Sequence, residues 1–262
     1  MMQNKPTFLH QSRPLLTCMI QAANPTDAVL TIRNAAFDGC DAYGFQQCQL
    51  ERQYRDDKTI RNLFAQMANK PVYVTNYRGA KNQGMTDDEL ADGLVTLIKQ
   101  GATLADVIGD FFCPDPIQLT MDPAAVDKQR RLIDRIHEAG GEVLMSSHVL
   151  KYTPAEEVLR IACEQRKRGA DVVKIVTAGN SDEEELDNLR TTQLLARELD
   201  VPFLFLSGGT HNKRHRTLGF AFGCSIILCV ERYDYLSTRS QPLLRAMREI
   251  VDHLDYMPDV RF

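Results

Sequence analysis

The chain has 262 residues, of which 44% are apolar and 25% are charged, a balance typical of globular proteins. The net charge of −4 argues against a nucleic-acid partner, and no apolar run approaches the ~18 residues needed to cross a bilayer. Residues 1–12 lack the apolar stretch of a signal peptide. The seven cysteines are widely spaced without a CxxC pair, so we expect reduced thiols in a cytoplasmic protein, with no metal or other cofactor.

Segments with strand and helix patterns alternate along the chain. The predicted strands are Leu15–Gln21, Asp41–Gln46, Pro71–Tyr77, Ala105–Phe112, Glu142–His148, Asp171–Ala178, Pro202–Gly208 and Cys224–Glu231. The predicted helices follow them at residues 26–37, 57–69, 86–100, 123–139, 154–168, 182–199, 213–222 and 241–254. The capping-box pattern marks three helix starts: Thr86 with Glu89, Thr153 with Glu156, and Ser181 with Glu184.

This alternation predicts parallel strands joined by crossover helices. Eight such units in about 250 residues match an α/β fold of the (β/α)₈ TIM-barrel type. A doubly wound sheet is the alternative, but no GxGxxG motif follows the first strand. Because no linker or repeat interrupts the pattern, we predict a single domain over residues 1–262. Residues 1–14 would be an N-terminal extension, such as a strand or hairpin across the bottom of the barrel.

The sixth predicted strand carries a lysine, Lys174, inside an apolar run. A buried ammonium is costly, so this group must be paired, reach solvent or lose its proton. A neutral lysine can condense with a ketone to form an imine, whereas a lysine at a strand end can simply extend to water. His148 ends the preceding strand. Adjacent strands lie ~4.8 Å apart, so the imidazole could approach the amine and move the protons that imine chemistry requires.

Both segments resemble motifs of the type I 3-dehydroquinate dehydratases. The matching segments are Ser146–Pro154 and Gly169–Ile175, which resemble the histidine and Schiff-base lysine motifs, together with Val74–Arg78, Ser207, His215–Cys224 and Ser237–Gln241. Members of this family are (β/α)₈ barrels of the shikimate pathway, which leads to aromatic amino acids. The resemblance implies a hydro-lyase that dehydrates 3-dehydroquinate, or a closely related keto acid, to 3-dehydroshikimate or its counterpart.

The resemblance also implies a role for each matching residue. Lys174 would form the Schiff base, and His148 would donate and accept protons. Arg216 would hold the substrate carboxylate, for which the guanidinium fork is well shaped. The other substrate-binding residues would be Arg78, Ser237, Gln241, Gln46 and Asn82, with Ser237 and Gln241 on a loop that closes over the substrate. Family members are commonly homodimers, which we expect here.

Several positions depart from the family pattern. On strand two, Gly44 and Gln46 replace a glutamate and an arginine that contact substrate hydroxyls. Asn82 replaces a glutamate that pairs with the catalytic histidine, and the acidic pair of strand four is altered to Gly109-Asp110. The reacting centre is therefore kept while hydroxyl contacts are not. This pattern favours a related substrate over an unchanged one.

Two other functions stay open at the level of sequence. The first is a class I aldolase or lyase that acts on a different polyhydroxylated keto acid. The loop Ser207–His211 could cradle a phosphate in such an enzyme. The second is a catalytically silent barrel that binds a ligand, suggested by the changes at Gly44, Gln46 and Asn82. In each case we expect a small-molecule ligand and neither a nucleic-acid nor a membrane partner.

Overall fold

The computed structural model describes residues 6–254, in which eight strands alternate with eight α-helices. The strands are β1 (Leu15–Ile20), β2 (Ala42–Gln46), β3 (Val72–Thr75), β4 (Leu104–Ile108), β5 (Glu142–His148), β6 (Val172–Ala178), β7 (Phe203–Gly208) and β8 (Ile226–Cys229). The helices are α1 (Pro25–Phe37), α2 (Asp57–Ala65), α3 (Asp87–Gln100), α4 (Pro123–Glu138), α5 (Ala155–Lys167), α6 (Asp182–Glu198), α7 (Lys213–Leu218) and α8 (Leu244–Asp252). None of these helices is long and apolar enough to span a bilayer.

The eight strands form one parallel sheet in the order β7-β6-β5-β4-β3-β2-β1-β8. Across the seam between β7 and β8, the Ser225 N–H donates to the Phe203 carbonyl at 3.0 Å. Sequential order with closure at the seam is the topology of a (β/α)₈ barrel, so the predicted fold is confirmed. The carboxyl ends of all eight strands consequently meet at one mouth.

Both faces of the sheet are buried, as expected of parallel strands covered by helices. One apolar cluster lies between the strands and the surrounding helices. A second cluster fills the lower interior with one side chain from most strands, such as Leu104, Leu144 and Val172. This packed lower layer leaves space for chemistry only near the mouth.

The N-terminal segment differs from the predicted strand or hairpin. Residues 6–14 are irregular, and residues 1–5 lie outside the described part of the chain. Phe8 is 1% exposed and packs into the lower interior cluster, while Thr7 and the Phe8 N–H bind the Glu142 side chain. A closed barrel has no free strand edge with which the N-terminal segment could pair, so the segment does not form a strand. It covers the bottom of the barrel with the Phe8 side chain instead.

The helix starts follow the sequence patterns in two of three cases. Thr86 and Glu89 form the full capping box of α3, and Ser181 accepts the N–H of Glu184 at the start of α6. The expectation for Thr153 is wrong, because its hydroxyl donates to the Lys151 carbonyl and α5 has no side-chain cap.

Candidate active site

A cavity of about 210 Å³ opens at the mouth of the barrel above Lys174. It is lined by Met19, Gln46, Tyr73, Thr75, Tyr77, His148, Lys174, Val176, Leu206, Arg216, Leu228, Thr238 and Gln241. Polar groups thus share the wall with aliphatic side chains. Five of the residues selected from the sequence reach this cavity: Gln46, His148, Lys174, Arg216 and Gln241.

Lys174 is buried and its amine has three hydrogen-bond partners, all from other strands or loops. Its Nζ donates to Tyr77 Oη at 2.6 Å, to Tyr73 Oη at 2.9 Å and to Asp106 Oδ2 at 3.0 Å. Both tyrosine hydroxyls in turn donate to Asp106 Oδ2, and Ser146 donates to Asp106 Oδ1. The amine therefore lies within a closed network of one carboxylate and three hydroxyls.

The ion pair between Lys174 and Asp106 sets the charge at the base of the cavity. Burial lowers the pKa of Lys174, and the opposing attraction of Asp106 offsets this only in part. Burial alone would raise the pKa of Asp106, but Lys174 and the three hydroxyls outweigh it, so the carboxyl pKa lies below its ordinary value. The carboxylate thus holds its negative charge while the lysine releases a proton more readily than a lysine in water.

His148 lies nearer the mouth than Lys174. In the parallel register, Lys174 pairs with Ser146 and His148 pairs with Val176, and both His148 and Lys174 line the cavity. His148 Nδ1 is 2.6 Å from Gln118 Oε1. Because that oxygen can only accept, Nδ1 carries the proton and Nε2 presents a lone pair.

The imidazole of His148 is neutral at physiological pH. Burial lowers its pKa to about 3, and the positive charges of Lys174 and Arg216 contribute in the same direction. The ring of Tyr77 meets it edge-on, with ring centroids 5.6 Å apart. A neutral, oriented imidazole beside the amine site can act as a base without first losing a proton.

Arg216 supplies positive charge to the wall of the cavity. Its Nε donates to the Ser207 carbonyl at 2.6 Å, which fixes the guanidinium at the start of the β7–α7 region. Burial lowers the pKa of Arg216 to about 10, so the group remains charged at neutral pH. A fixed guanidinium that lines a cavity suits a carboxylate ligand.

Apart from Gln46, the strand-two side of the cavity is apolar. Met19 on β1 is the cross-strand partner of Gly44 on β2, and its Sδ lies 2.2 Å from the position that a Gly44 Cβ would occupy. The methionine thus fills the space of the absent side chain. Leu206 and Leu228 extend this apolar wall.

The loop that follows β8 is linked to the strand-two wall through one glutamine. Gln21 Nε2 donates both to Gln46 Oε1, at 2.9 Å, and to Thr238 Oγ1, at 3.0 Å, and its Oε1 accepts the Thr238 N–H. Gln241 on the same loop is 6% exposed, and its Oε1 has no partner. Thr75 Oγ1, also in the cavity wall, is likewise unpartnered. Both atoms can receive a hydrogen bond from a ligand.

Three residues selected from the sequence lie away from the cavity wall. Arg78 forms ion pairs with Asp87 at 2.6 Å and with Asp110 at 2.8 Å. Asn82 is buried against Asn76, the Tyr77 carbonyl and Arg55. Ser237 accepts the Asp234 N–H in a tight turn of the β8–α8 loop. The structure does not bring these three side chains together with Lys174.

Several side chains at the site were not identified from the sequence. The acidic position of strand four was assigned to Asp110, but β4 ends at Ile108 and the carboxylate that faces Lys174 is Asp106. An acidic residue in the middle of the apolar run Leu104–Ile108 was an available signal, of the same kind that identified Lys174. Gln118 gave none, since it lies in the irregular segment before α4.

Comparison with known proteins places this geometry in a family. The model of the type I 3-dehydroquinase family matches residues 23–257. A 3-dehydroquinate dehydratase of Klebsiella pneumoniae is 29% identical over 189 residues, which cover 70% of this chain and 69% of that protein. A 3-dehydroquinate dehydratase of Clostridium kluyveri is 26% identical over 169 residues, but the match spans only 63% of its length and 64% of this chain.

The fold comparison covers more of the chain. The type I 3-dehydroquinate dehydratase of Clostridium difficile, solved with covalently modified comenic acid, superposes with a TM-score of 0.77. The superposition covers 93% of both chains at 16% identity. At this identity it shows the shared barrel fold. With a family model that matches nearly the whole sequence and a barrel that carries a buried lysine at its mouth, the chain belongs to the type I 3-dehydroquinase family.

Proposed function

We propose that the protein is a Schiff-base-forming hydro-lyase that dehydrates 3-dehydroquinate to 3-dehydroshikimate, a step of the shikimate pathway that leads to aromatic amino acids. The observation that carries this proposal is the amine of Lys174, whose side chain is 5% exposed and which lines a cavity together with a fixed arginine, Arg216. The names of the related proteins support the same reaction.

The proposed reaction begins with attack of Lys174 Nζ on the ketone carbon, which yields an iminium and water. The iminium withdraws electrons and acidifies the neighbouring C–H bond. His148 Nε2 then removes that proton, and the resulting imidazolium returns it to the β-hydroxyl, which leaves as water. Water then hydrolyses the product imine, which releases the unsaturated ketone and returns Lys174 to the free amine. Arg216 holds the carboxylate throughout, so the leaving hydroxyl stays oriented toward the imidazole.

The substrate hydroxyls need partners other than those of strand two. Gly44 provides no side chain and Met19 covers its position, so this wall offers no carboxylate to a hydroxyl. The unpartnered acceptors Thr75 Oγ1 and Gln241 Oε1 are the proposed replacements, with the Gln46 amide at the rim. Direct substrate contact by Arg78, Asn82 and Ser237 stays a prediction from the family resemblance.

Reductive trapping tests the proposal. The protein is incubated with 3-dehydroquinate and sodium borohydride, and the added mass is located by peptide mass spectrometry, while dehydroshikimate absorbance is followed in parallel. We expect an adduct on Lys174 together with turnover. Lys174→Met should abolish both, whereas Lys167→Met, an exposed lysine at the end of α5, should change neither. Absence of turnover by the unmodified protein would refute the proposed reaction.

A second candidate is an imine-forming lyase or aldolase that acts on a different keto acid. The apolar wall formed by Met19, Leu206 and Leu228 favours it, because a substrate with fewer hydroxyls would fit that wall better. Trapping of an adduct on Lys174 without dehydroshikimate formation would favour this candidate. If no keto acid of a panel gave an adduct, a silent ligand-binding barrel would be favoured instead.

We further propose a cytoplasmic location and a homodimeric assembly. Reduced thiols support the first, since all seven cysteines, which lie within the described residues, are free. The common state of the family supports the second. Light scattering coupled to size-exclusion chromatography tests the assembly, and a monomer mass would refute it.

A further inference from the structure

Two tyrosine hydroxyls contact the amine at which the imine would form. Tyr77 Oη is 2.6 Å from Lys174 Nζ and Tyr73 Oη is 2.9 Å from it. Both hydroxyls also bind Asp106 Oδ2, and they lie 3.4 Å from each other. The proposed function does not yet use either hydroxyl.

The two tyrosines differ in their access to a ligand. Tyr73 lies on β3, is 1% exposed and packs in the lower interior cluster. Tyr77 follows the end of β3, is partly exposed and packs edge-on against His148. Both tyrosines line the cavity, but the partly exposed Tyr77 is more accessible than Tyr73 to a ketone that enters from the mouth.

We propose that Tyr77 is a catalytic acid–base residue that, together with Asp106, carries protons from Lys174 Nζ to the substrate oxygen while the imine forms. The proposal rests on the imine chemistry of the proposed function. The proposal assigns the proton transfers of imine formation and those of dehydration to different groups. Tyr77 and Asp106 move protons between the amine nitrogen and the ketone oxygen. His148 moves the proton from the C–H bond to the leaving hydroxyl.

The proton balance of this step closes within the site. Lys174 begins as an ammonium with three protons and gives one to the Asp106 carboxylate. Its lone pair attacks the carbonyl carbon, the C=O π bond breaks, and the oxygen takes a proton from Tyr77, which regains one from Asp106. A second N–H proton follows the same route, the C–O bond breaks, and water leaves with both protons. The iminium keeps the third proton, and Asp106 is again a carboxylate beside it.

The chemistry of the site suits this role. Burial, followed by the nearby charge of Asp106, raises the pKa of the Tyr77 hydroxyl, so it remains protonated at neutral pH and can donate. His148 Nδ1 is hydrogen-bonded to Gln118, and His148 pairs with Val176, two residues beyond Lys174 on β6. The Tyr77 hydroxyl is thus the proton donor in direct contact with Nζ on the ligand side.

Tyr77→Phe and Tyr73→Phe form a matched pair, since each removes one hydroxyl from Lys174 Nζ. The probe is 3-oxocyclohexane-1-carboxylate, a ring keto acid without a leaving hydroxyl, so borohydride trapping on Lys174 reports imine formation alone. We expect Tyr77→Phe to slow trapping by ~10²-fold and Tyr73→Phe by less than about tenfold. Equal slowing in both variants, or none in Tyr77→Phe, would overturn the proposal.

A second measurement separates chemistry from structure. Replacement of Tyr77 by 3,5-difluorotyrosine keeps the hydroxyl but makes it more acidic. If Tyr77 donates the proton, the alkaline limb of the trapping rate moves to lower pH. An unchanged alkaline limb would contradict the proposed acid–base role. Tyr77 would then only position the Lys174 amine.

The two proposals fail in different ways. Trapping of the probe that depends on Tyr77, without turnover of 3-dehydroquinate, would support Tyr77 while refuting the proposed dehydration. Turnover of 3-dehydroquinate with trapping that is insensitive to Tyr77→Phe would do the reverse. If neither ketone gave an adduct on Lys174, both proposals would be overturned.

Discussion

Lys174 shows how a barrel retains a lysine in an apolar layer. Three outcomes are open to a lysine in such a layer: pairing, solvent access or loss of the proton. Asp106 supplies the pairing, while burial still lowers the lysine pKa. The site therefore combines a stable resting ion pair with an amine that can be freed by a single short proton transfer. A fully neutral lysine is not needed in the resting state.

The state of His148 predicts an unusual pH dependence. Because the pKa of His148 is lowered to about 3, the imidazole is already a base above that pH. We expect kcat/KM for the proposed dehydration to show no loss near pH 6.5 that arises from His148. Gln118→Glu places a carboxylate at Nδ1, 2.6 Å away in the present structure, and should raise the His148 pKa by ~1–3 units.

The measurement is the acid limb of kcat/KM against pH in both proteins. The variant should lose activity at a higher pH than the unmodified protein, because its imidazolium persists further toward neutrality. Gln118→Asn, which shortens the amide without adding charge, is the control for altered position. A limb that stays in place in Gln118→Glu would show that His148 is not the base whose titration controls the rate.

At the scale of elements, the site depends on where strands end. β3 ends at Thr75, so Tyr77 lies in the loop after the strand, where its hydroxyl contacts Lys174 Nζ. Helix α3 then begins at Asp87, whose carboxylate holds Arg78 beside the mouth. The start of one helix and the end of one strand together orient this side of the cavity.

The capping box of α3 gives a test at this scale. Thr86→Ala removes the hydroxyl that accepts the Glu89 N–H, and we expect a loss of about 1 kcal/mol in the free energy of unfolding. Thr96→Ala makes the same change on the exposed middle of the same helix, where alanine has the higher helix propensity and no cap is lost. Urea unfolding compares the two. Equal losses would show that the cap contributes nothing specific.

For the molecule as a whole, the packing of helices against the barrel buries a second histidine, which has no part in the proposed reaction. His215 is 1% exposed at the junction of β7, α6 and α7. Its Nδ1 accepts the Ser207 N–H, so its Nε2 carries the proton toward Thr192 Oγ1. Only the neutral imidazole can make both of these hydrogen bonds, because a protonated Nδ1 could not accept one. Burial, assisted by the charge of Arg216, lowers the pKa of His215 to about 3.

This histidine makes the fold sensitive to acid. The unfolded chain binds the proton with a pKa of ~6.5 and the native state with a pKa of about 3, so stability falls as pH drops below ~6.5. We expect His215 to account for a loss of roughly 2 kcal/mol in unfolding free energy between pH 7 and pH 5. His215→Gln should show a smaller loss over this range in urea unfolding. His253→Gln, on an exposed helix end, should lose as much as the unmodified protein, and parallel losses in all three would refute the assignment.

Local signals in the sequence were enough to predict the order of elements, the barrel and a lysine in an apolar strand. Hydrophobic periodicity, helix-cap residues and a charge within an apolar run can each be recognised in one short segment. His148 follows from its place at the end of β5, and Arg216 was selected from the family resemblance; both line the cavity. Local signals could not identify the partners of Lys174. The strand that precedes Lys174 in the chain supplies His148, whereas Asp106 comes from β4 and Tyr73 from β3.

These contacts depend on the assembled barrel. Side chains inside a barrel meet in layers drawn from alternate strands, and a long lysine side chain reaches across the interior. The same holds for Arg78 and Asn82, whose positions near strand three suggested the cavity but whose partners direct them elsewhere. Which strands face one another, and at what height, depends on closure and register. Those are properties of the assembled barrel that no single segment carries.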